Sequence, residues 1–214
     1  MGRKVQLRPA RPKIAIVGDG ETEKIYFSDI KDSDRPSDID LYPALPARKG
    51  DFKKVLDTAL VLSEEYTRVF ALIDMDTVIR DGKGKEYAAA RAAAETEGVI
   101  VLEMGPCFEI WLLLHFVQTT RSFTRCDEVV DEIRKPGRIP GYEKSQKWLV
   151  KAHLYANYKE RLHLAIAAGK RLAKDRPADN PHYPRADIYE FFAWYIQPER
   201  LKLLQDGSVW PRSK

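Results

Sequence analysis

The sequence predicts an α/β protein: a parallel sheet flanked by helices, followed by a helical C-terminal half. Three observations carry this. Residues 14–17, 69–73 and 99–102 are short, almost wholly apolar runs rich in Val and Ile, as strands covered on both faces require. Helical patterns lie between them, the alternation of βαβ units. After about residue 105 the strand signal fades and helical patterns alone remain.

Taken in order, residues 14–17 stop at a Gly-Asp-Gly corner with Asp19 at its centre, and residues 22–31 follow with helical spacing. A strand running sharply into a helix is where ligands of parallel sheets collect. Residues 39–45 suit a strand that Pro43 and Pro46 confine to an edge. Phe52, Val55, Leu56, Ala59, Leu60 and Leu62 recur near a period of 3.6 within residues 51–66. Residues 86–97 are Ala-rich and closed by Gly98, where a helix C-terminal glycine belongs. Helical patterns then cover 107–117, 127–135, 144–158, 160–174 and 185–195, broken at Pro136-Gly137, Pro140-Gly141 and between Pro177 and Pro184. The expected organisation is a basic tail over 1–12, an α/β core over 13–120, a helical extension over 121–197 packed on the core as one domain, and an irregular tail over 198–214.

The 214 residues, 44% of them hydrophobic, suffice for one sizeable core. A net charge of +4 is compatible with nucleic acid without demanding it. Arg3, Lys4, Arg8, Arg11 and Lys13 crowd the first thirteen residues without an acid. They form either an arm for a phosphate backbone or a solvated tail. Two cysteines, Cys107 and Cys126, allow one bridge and show no metal-ligand spacing. That usage favours a reducing, cytoplasmic compartment. The N-terminus lacks the apolar region of a signal peptide. Residues 108–117 are too short to span a bilayer and contain Glu109 and His115, so no membrane partner is expected.

The second apolar run leads straight into Asp74-Met75-Asp76. In an extended chain two such carboxylates point to the same side and can share a hard cation such as Mg²⁺. The plain alternative is a solvated turn, which Asp19 at the end of another strand disfavours. Glu109 stands near the start of a predicted helix, where a carboxylate suits the dipole. It also lies among Phe108, Ile110, Trp111 and Leu112, where a buried acid needs a partner, and a metal is one choice. His115 shares a face with Trp111 and reads as a core histidine. Lys144, Lys147 and Lys151 recur on one helical side near Tyr142 and Trp148, either a solvated face or a surface for nucleic acid. Lys24 and Arg185 are further candidates for that role.

Three blocks, G-D-G-E-T-E-K-I-Y-F from Gly18, A-L-I-D-M-D from Ala71 and G-P-C-F-E-I-W-L-L-L-H-F from Gly105, together resemble the RloB family. Gly141-Tyr142-Glu143-Lys144 and Asp179-Asn180-Pro181 are also similar to it. The resemblance implies a Toprim-like parallel sheet and the making or breaking of phosphodiester bonds with Mg²⁺ or Mn²⁺. By position, Asp19 takes the place of a first glutamate that works as general acid or base. Glu23 matches a second, Asp74 and Asp76 a metal-holding pair, and Glu109 the glutamate of the third block. Two positions depart: Asp19 is one methylene shorter than the family's Glu, and Gly105 stands where Asn is usual. A general acid must come within about 3 Å of its partner, so Asp19 is either a metal ligand or part of a weakened site.

The implied function is a metal-dependent nuclease acting on RNA, including tRNA, or DNA in bacterial phage defence, alongside a partner ATPase or restriction-modification proteins. One alternative is a non-catalytic module binding nucleic acid or a partner on the same scaffold. Another is a haloacid-dehalogenase-type phosphatase, since F-A-L-I-D-M-D-T-V is similar to that superfamily's first motif, with Asp74 as nucleophile and Asp76 as acid. A complete strand–helix unit ahead of the motif, and the lack of a downstream G-D-x-x-x-D, argue against it.

Overall fold

The structure is a computed structural model that describes residues 10–47 and 51–210. The basic residues Arg3, Lys4 and Arg8 lie outside the described residues. Arg11 pairs with Asp40 at 3.0 Å.

Five strands form one sheet: β1 (Lys13–Val17), β2 (Asp40–Ala44), β3 (Arg68–Asp74), β4 (Val99–Gly105) and β5 (Arg185–Ala186). Their order is β2-β1-β3-β4-β5, parallel except for antiparallel β5. The three apolar runs are the three central strands, and the Pro43 strand is the edge, where a missing N–H costs no ladder bond. The helices are α1 (Glu21–Asp34), α2 (Phe52–Ser63), α3 (Met75–Arg80), α4 (Gly84–Thr96), α5 (Glu109–Leu114), α6 (Cys126–Ile133), α7 (Gln146–Ala152), α8 (Leu154–Tyr158), α9 (Leu162–Lys174), α10 (Tyr189–Tyr195) and α11 (Arg200–Asp206). Among the described residues, no helix is long and apolar enough to cross a membrane.

The period-2 alternation of the strands divides the core into two layers. Ala15 and Val17, Val69, Ala71 and Ile73, and Val99 and Val101 face α2, α3 and α4. Ile14 and Ile16, Phe70 and Leu72, and Leu102 and Met104 face α1 and the helical half. That second layer is aromatic. Phe192 of α10 stacks on Trp111 at 5.0 Å, and Phe191 meets Phe27 and Phe70 edge-on at 5.3 Å. The Trp111 indole donates to the Tyr26 hydroxyl at 3.1 Å, which satisfies two polar atoms inside an apolar layer. His115 is the expected core histidine: its Nδ1 lies 2.9 Å from the Trp111 carbonyl, and burial pulls its pKa down to about 4.

Four elements differ from the sequence expectation. The helix expected over 144–158 is two helices, broken at His153, which takes a left-handed φ of 41°. Asp29 of α1 causes this, because its carboxylate meets His153 Nδ1 at 3.1 Å and accepts the Ala156 N–H at 3.0 Å. The helix expected from 185 starts at Tyr189, because Arg185 and Ala186 pair with Gly105 and Met104 as β5. The tail expected to be irregular from 198 holds α11, and Trp210 beyond it packs on Phe70 at 4.8 Å. The fourth difference, α3, lies at the site.

Candidate metal centre

Chain direction makes the site. From β1 the chain passes through α1, on one face of the sheet, to β2 on one side. From β2 it passes through α2, on the other face, to β3 on the opposite side of β1. The crevice at such a reversal, beyond the carboxyl ends of the strands, is where open α/β sheets bind ligands. Asp19 follows β1 and Asp74 ends β3 there.

The corner after β1 is tight. A Cβ on Gly18 would stand 2.6 Å from Glu23 Cβ, and one on Gly20 would stand 3.3 Å from Glu23 Oε2. Glycine at these positions lets the first turn of α1 fold back over the strand end. Glu23 is thereby carried inward to 4% exposure, while its helix-N-terminal place suits a carboxylate.

The two aspartates of the second block are not on one extended segment. β3 ends at Asp74 and α3 begins at Met75, so Asp76 occupies the first turn of a helix. Its N–H donates to the Pro106 carbonyl at 2.9 Å, tying α3 to the loop after β4. The acids still belong to one cluster, with Asp74 contributed by a strand and Asp76 by a helix N-terminus.

Glu109 enters from the first turn of α5 and is 1% exposed. The Tyr142 hydroxyl donates to its Oε1 at 2.8 Å, and Lys144 Nζ lies 2.9 Å from the same oxygen. The two cysteines form the one bridge their number allows, with Cα atoms 5.6 Å apart, and Cys126 Sγ lies 3.1 Å from Glu109 Oε2.

Electrostatics join the five acids. Burial raises the Asp74 pKa well above the usual range, and Glu23, Glu109, Asp19 and Asp76 push it further. Burial and then Glu109 lift Glu23 to about 8. Asp19 is raised by burial and by Asp76, and Asp76 chiefly by burial. Such crowding is costly unless a cation joins it. Asp74 Oδ1 is enclosed and has no hydrogen-bond partner. An orphaned carboxylate oxygen among other carboxylates is the donor set of a hard cation, so the residues fit Mg²⁺ or Mn²⁺.

Asp19, Glu23, Asp74, Asp76 and Glu109 therefore come together as expected. The basic candidates divide. Lys144 precedes α7, so it is not on the helix expected to carry it; it reaches Glu109. Lys147 and Lys151 are exposed on α7, and Lys24 is exposed on α1. Arg185 is not at an exposed nucleic-acid surface: on β5 its guanidinium pairs with Glu103. Glu103 also holds Arg91 at 2.6 Å and accepts from the Tyr87 hydroxyl at 3.1 Å. Sequence reasoning missed Tyr142 as the partner of Glu109; the block Gly141–Lys144 was its signal. A cleft of about 420 Å³ opens beside Asp76, lined by Arg80, Thr124, Arg125, Cys126, Asp127 and His182.

Fold and site define an α/β protein with a carboxylate centre at the reversal point of its sheet. The chain belongs to the RloB-like protein family, whose model matches residues 14–193. No match was found among curated proteins or solved structures.

Proposed function

We propose that the protein is a Mg²⁺- or Mn²⁺-dependent nuclease of Toprim type, hydrolysing phosphodiester bonds in RNA or DNA in bacterial phage defence. The observation that carries this reading is the enclosed, partnerless Asp74 Oδ1 amid four further carboxylates. Asp74, Asp76 and Asp19 would hold the cation. When bound, it would polarise a scissile phosphate and lower the pKa of a coordinated water. Glu23 keeps a proton at neutral pH while the site is metal-free, and a carboxyl tuned in this way is suited to proton transfer. The neighbouring cleft with Arg80 and Arg125 suits a phosphate backbone. A partner ATPase or restriction-modification system and a cytoplasmic setting complete the proposal, although the Cys107–Cys126 bridge removes the cysteine argument for a reducing compartment.

A non-catalytic binding module is the second reading, favoured by one observation: Lys144 already neutralises Glu109. The phosphatase reading is weaker, because a complete strand–helix unit, β1 and α1, precedes the Asp74 motif. The test is a cleavage assay on DNA, single-stranded RNA and total tRNA, with Mg²⁺ and with Mn²⁺. Cleavage of at least one substrate is expected from the wild type, and none from Asp74→Asn/Asp76→Asn. Undiminished metal-dependent cleavage by that variant would overturn the assignment.

A further inference from the structure

We infer that Lys144 is a built-in cation for Glu109, so that the cluster takes one divalent cation, at Asp74, and not two. Lys144 has this role only if the carboxylates hold a metal, as proposed above.

The five acids are not equivalent. Glu109 is already neutralised through Oε1, which accepts from the Tyr142 hydroxyl at 2.8 Å and lies 2.9 Å from the Lys144 ammonium; its Oε2 meets the bridged Cys126 Sγ at 3.1 Å, which has no hydrogen to donate. Asp74 is the opposite case, with Oδ1 enclosed and unpartnered. A metal on Glu109 Oε1 would have to displace an ammonium already in contact, and one on Oε2 would sit beside that ammonium's charge, whereas a metal at Asp74 displaces nothing. Tyr142 fixes the division, because its hydroxyl and the ammonium occupy the same carboxylate oxygen, leaving little lone-pair capacity for a third partner.

Lys144 is also placed to do more than neutralise. Its side chain is 48% exposed while the Glu109 side chain is 2% exposed. The ammonium therefore closes the buried carboxylate on one side and keeps donors open to solvent on the other. A lysine has three donors, so one committed to Glu109 leaves others for a non-bridging phosphate oxygen. That is the service a second metal would render, supplied by a side chain.

The test is Mn²⁺ titration of the full chain by calorimetry, with free Mn²⁺ counted by electron paramagnetic resonance. The wild type and Lys144→Arg are expected to bind one Mn²⁺ per chain. Lys144→Met, which frees Glu109, is expected to bind two. Lys144→Gln keeps a neutral donor and provides the same test should the methionine variant not fold. Two Mn²⁺ per wild-type chain, or an unchanged count of one in the folded Met or Gln variant, would overturn the role of Lys144 and leave the metal centre standing. Binding by Asp74→Asn equal to wild type would overturn the metal centre itself.

Discussion

Asp74→Asn is expected to melt above the wild type in metal-free buffer near pH 8, by roughly 3–6 °C, while abolishing the cleavage proposed above. The gain comes from removing one charge from a crowd. The Asp74 pKa is raised by burial and by four neighbouring acids, so ionising the cluster works against the fold. A relief on the order of 1–2 kcal/mol corresponds to that shift in melting temperature for a chain of this size.

The pH dependence follows with a definite sign. Glu23 has a folded pKa near 8 against an ordinary 4.5. Its stabilising contribution is complete below the ordinary value and is lost as pH rises through the folded one. His115 acts oppositely: its pKa of about 4 against 6.5 costs stability as pH falls through that interval. The interval from pH 6.5 to 8 thus isolates the acid cluster. Metal-free wild type is expected to lose melting temperature across it, Asp74→Asn to lose less, and Mn²⁺ to restore the wild type most at the alkaline end. Differential scanning calorimetry of both proteins at four pH values checks this. A wild-type melting temperature that is flat across the interval with and without Mn²⁺ would remove the electrostatic case for the site.

Glu103→Ala is expected to cost about 3–5 kcal/mol, the range for breaking a buried ion pair from one side. Burial pushes the Glu103 pKa up, but Arg185 and Arg91 overcome it and hold the group below its ordinary value. Removing the carboxylate leaves the Arg185 guanidinium and the Tyr87 hydroxyl without this acceptor, and Arg91 with Glu95 alone. The Nε atoms of Arg176 and Arg185 are already enclosed without a partner, so the surroundings have little spare capacity to absorb the loss. Urea unfolding measures it. Arg185→Ala is expected to lower stability in the same assay and to leave nucleic-acid affinity unchanged, since Arg185 serves the β4–β5 junction.

The sequence made the central strands legible because each is covered on both faces and so reads as an unbroken apolar run. Asp19 and Asp74 were legible for the same reason, standing where those runs stop. Asp76 was found with the wrong backbone, because six residues of α3 give too short a pattern to distinguish a helix from an extended strand end. The break at His153 was hidden because no Gly or Pro marks it; the residue responsible, Asp29, lies 124 positions away. Glu103 was passed over because it follows an apolar run whose end looked like the strand's end. Lys144 and Arg185 were recognised as basic but without their partners, since a sequence shows a charge and not the buried carboxylate opposite it.

The stacking of α10 on the sheet also sets an order of assembly. Phe191 and Phe192 cover Phe27, Phe70 and Trp111, all of which leave the ribosome well before them. Until α10 emerges, the aromatic layer begun by Phe27, Phe70 and Trp111 lacks its cover, the kind of surface that makes nascent chains sticky and dependent on chaperones. For a centre of the proposed kind, fragments interrupted before α10 would carry the acids without the framework that aligns them, and so would be harmless to the cell that made them.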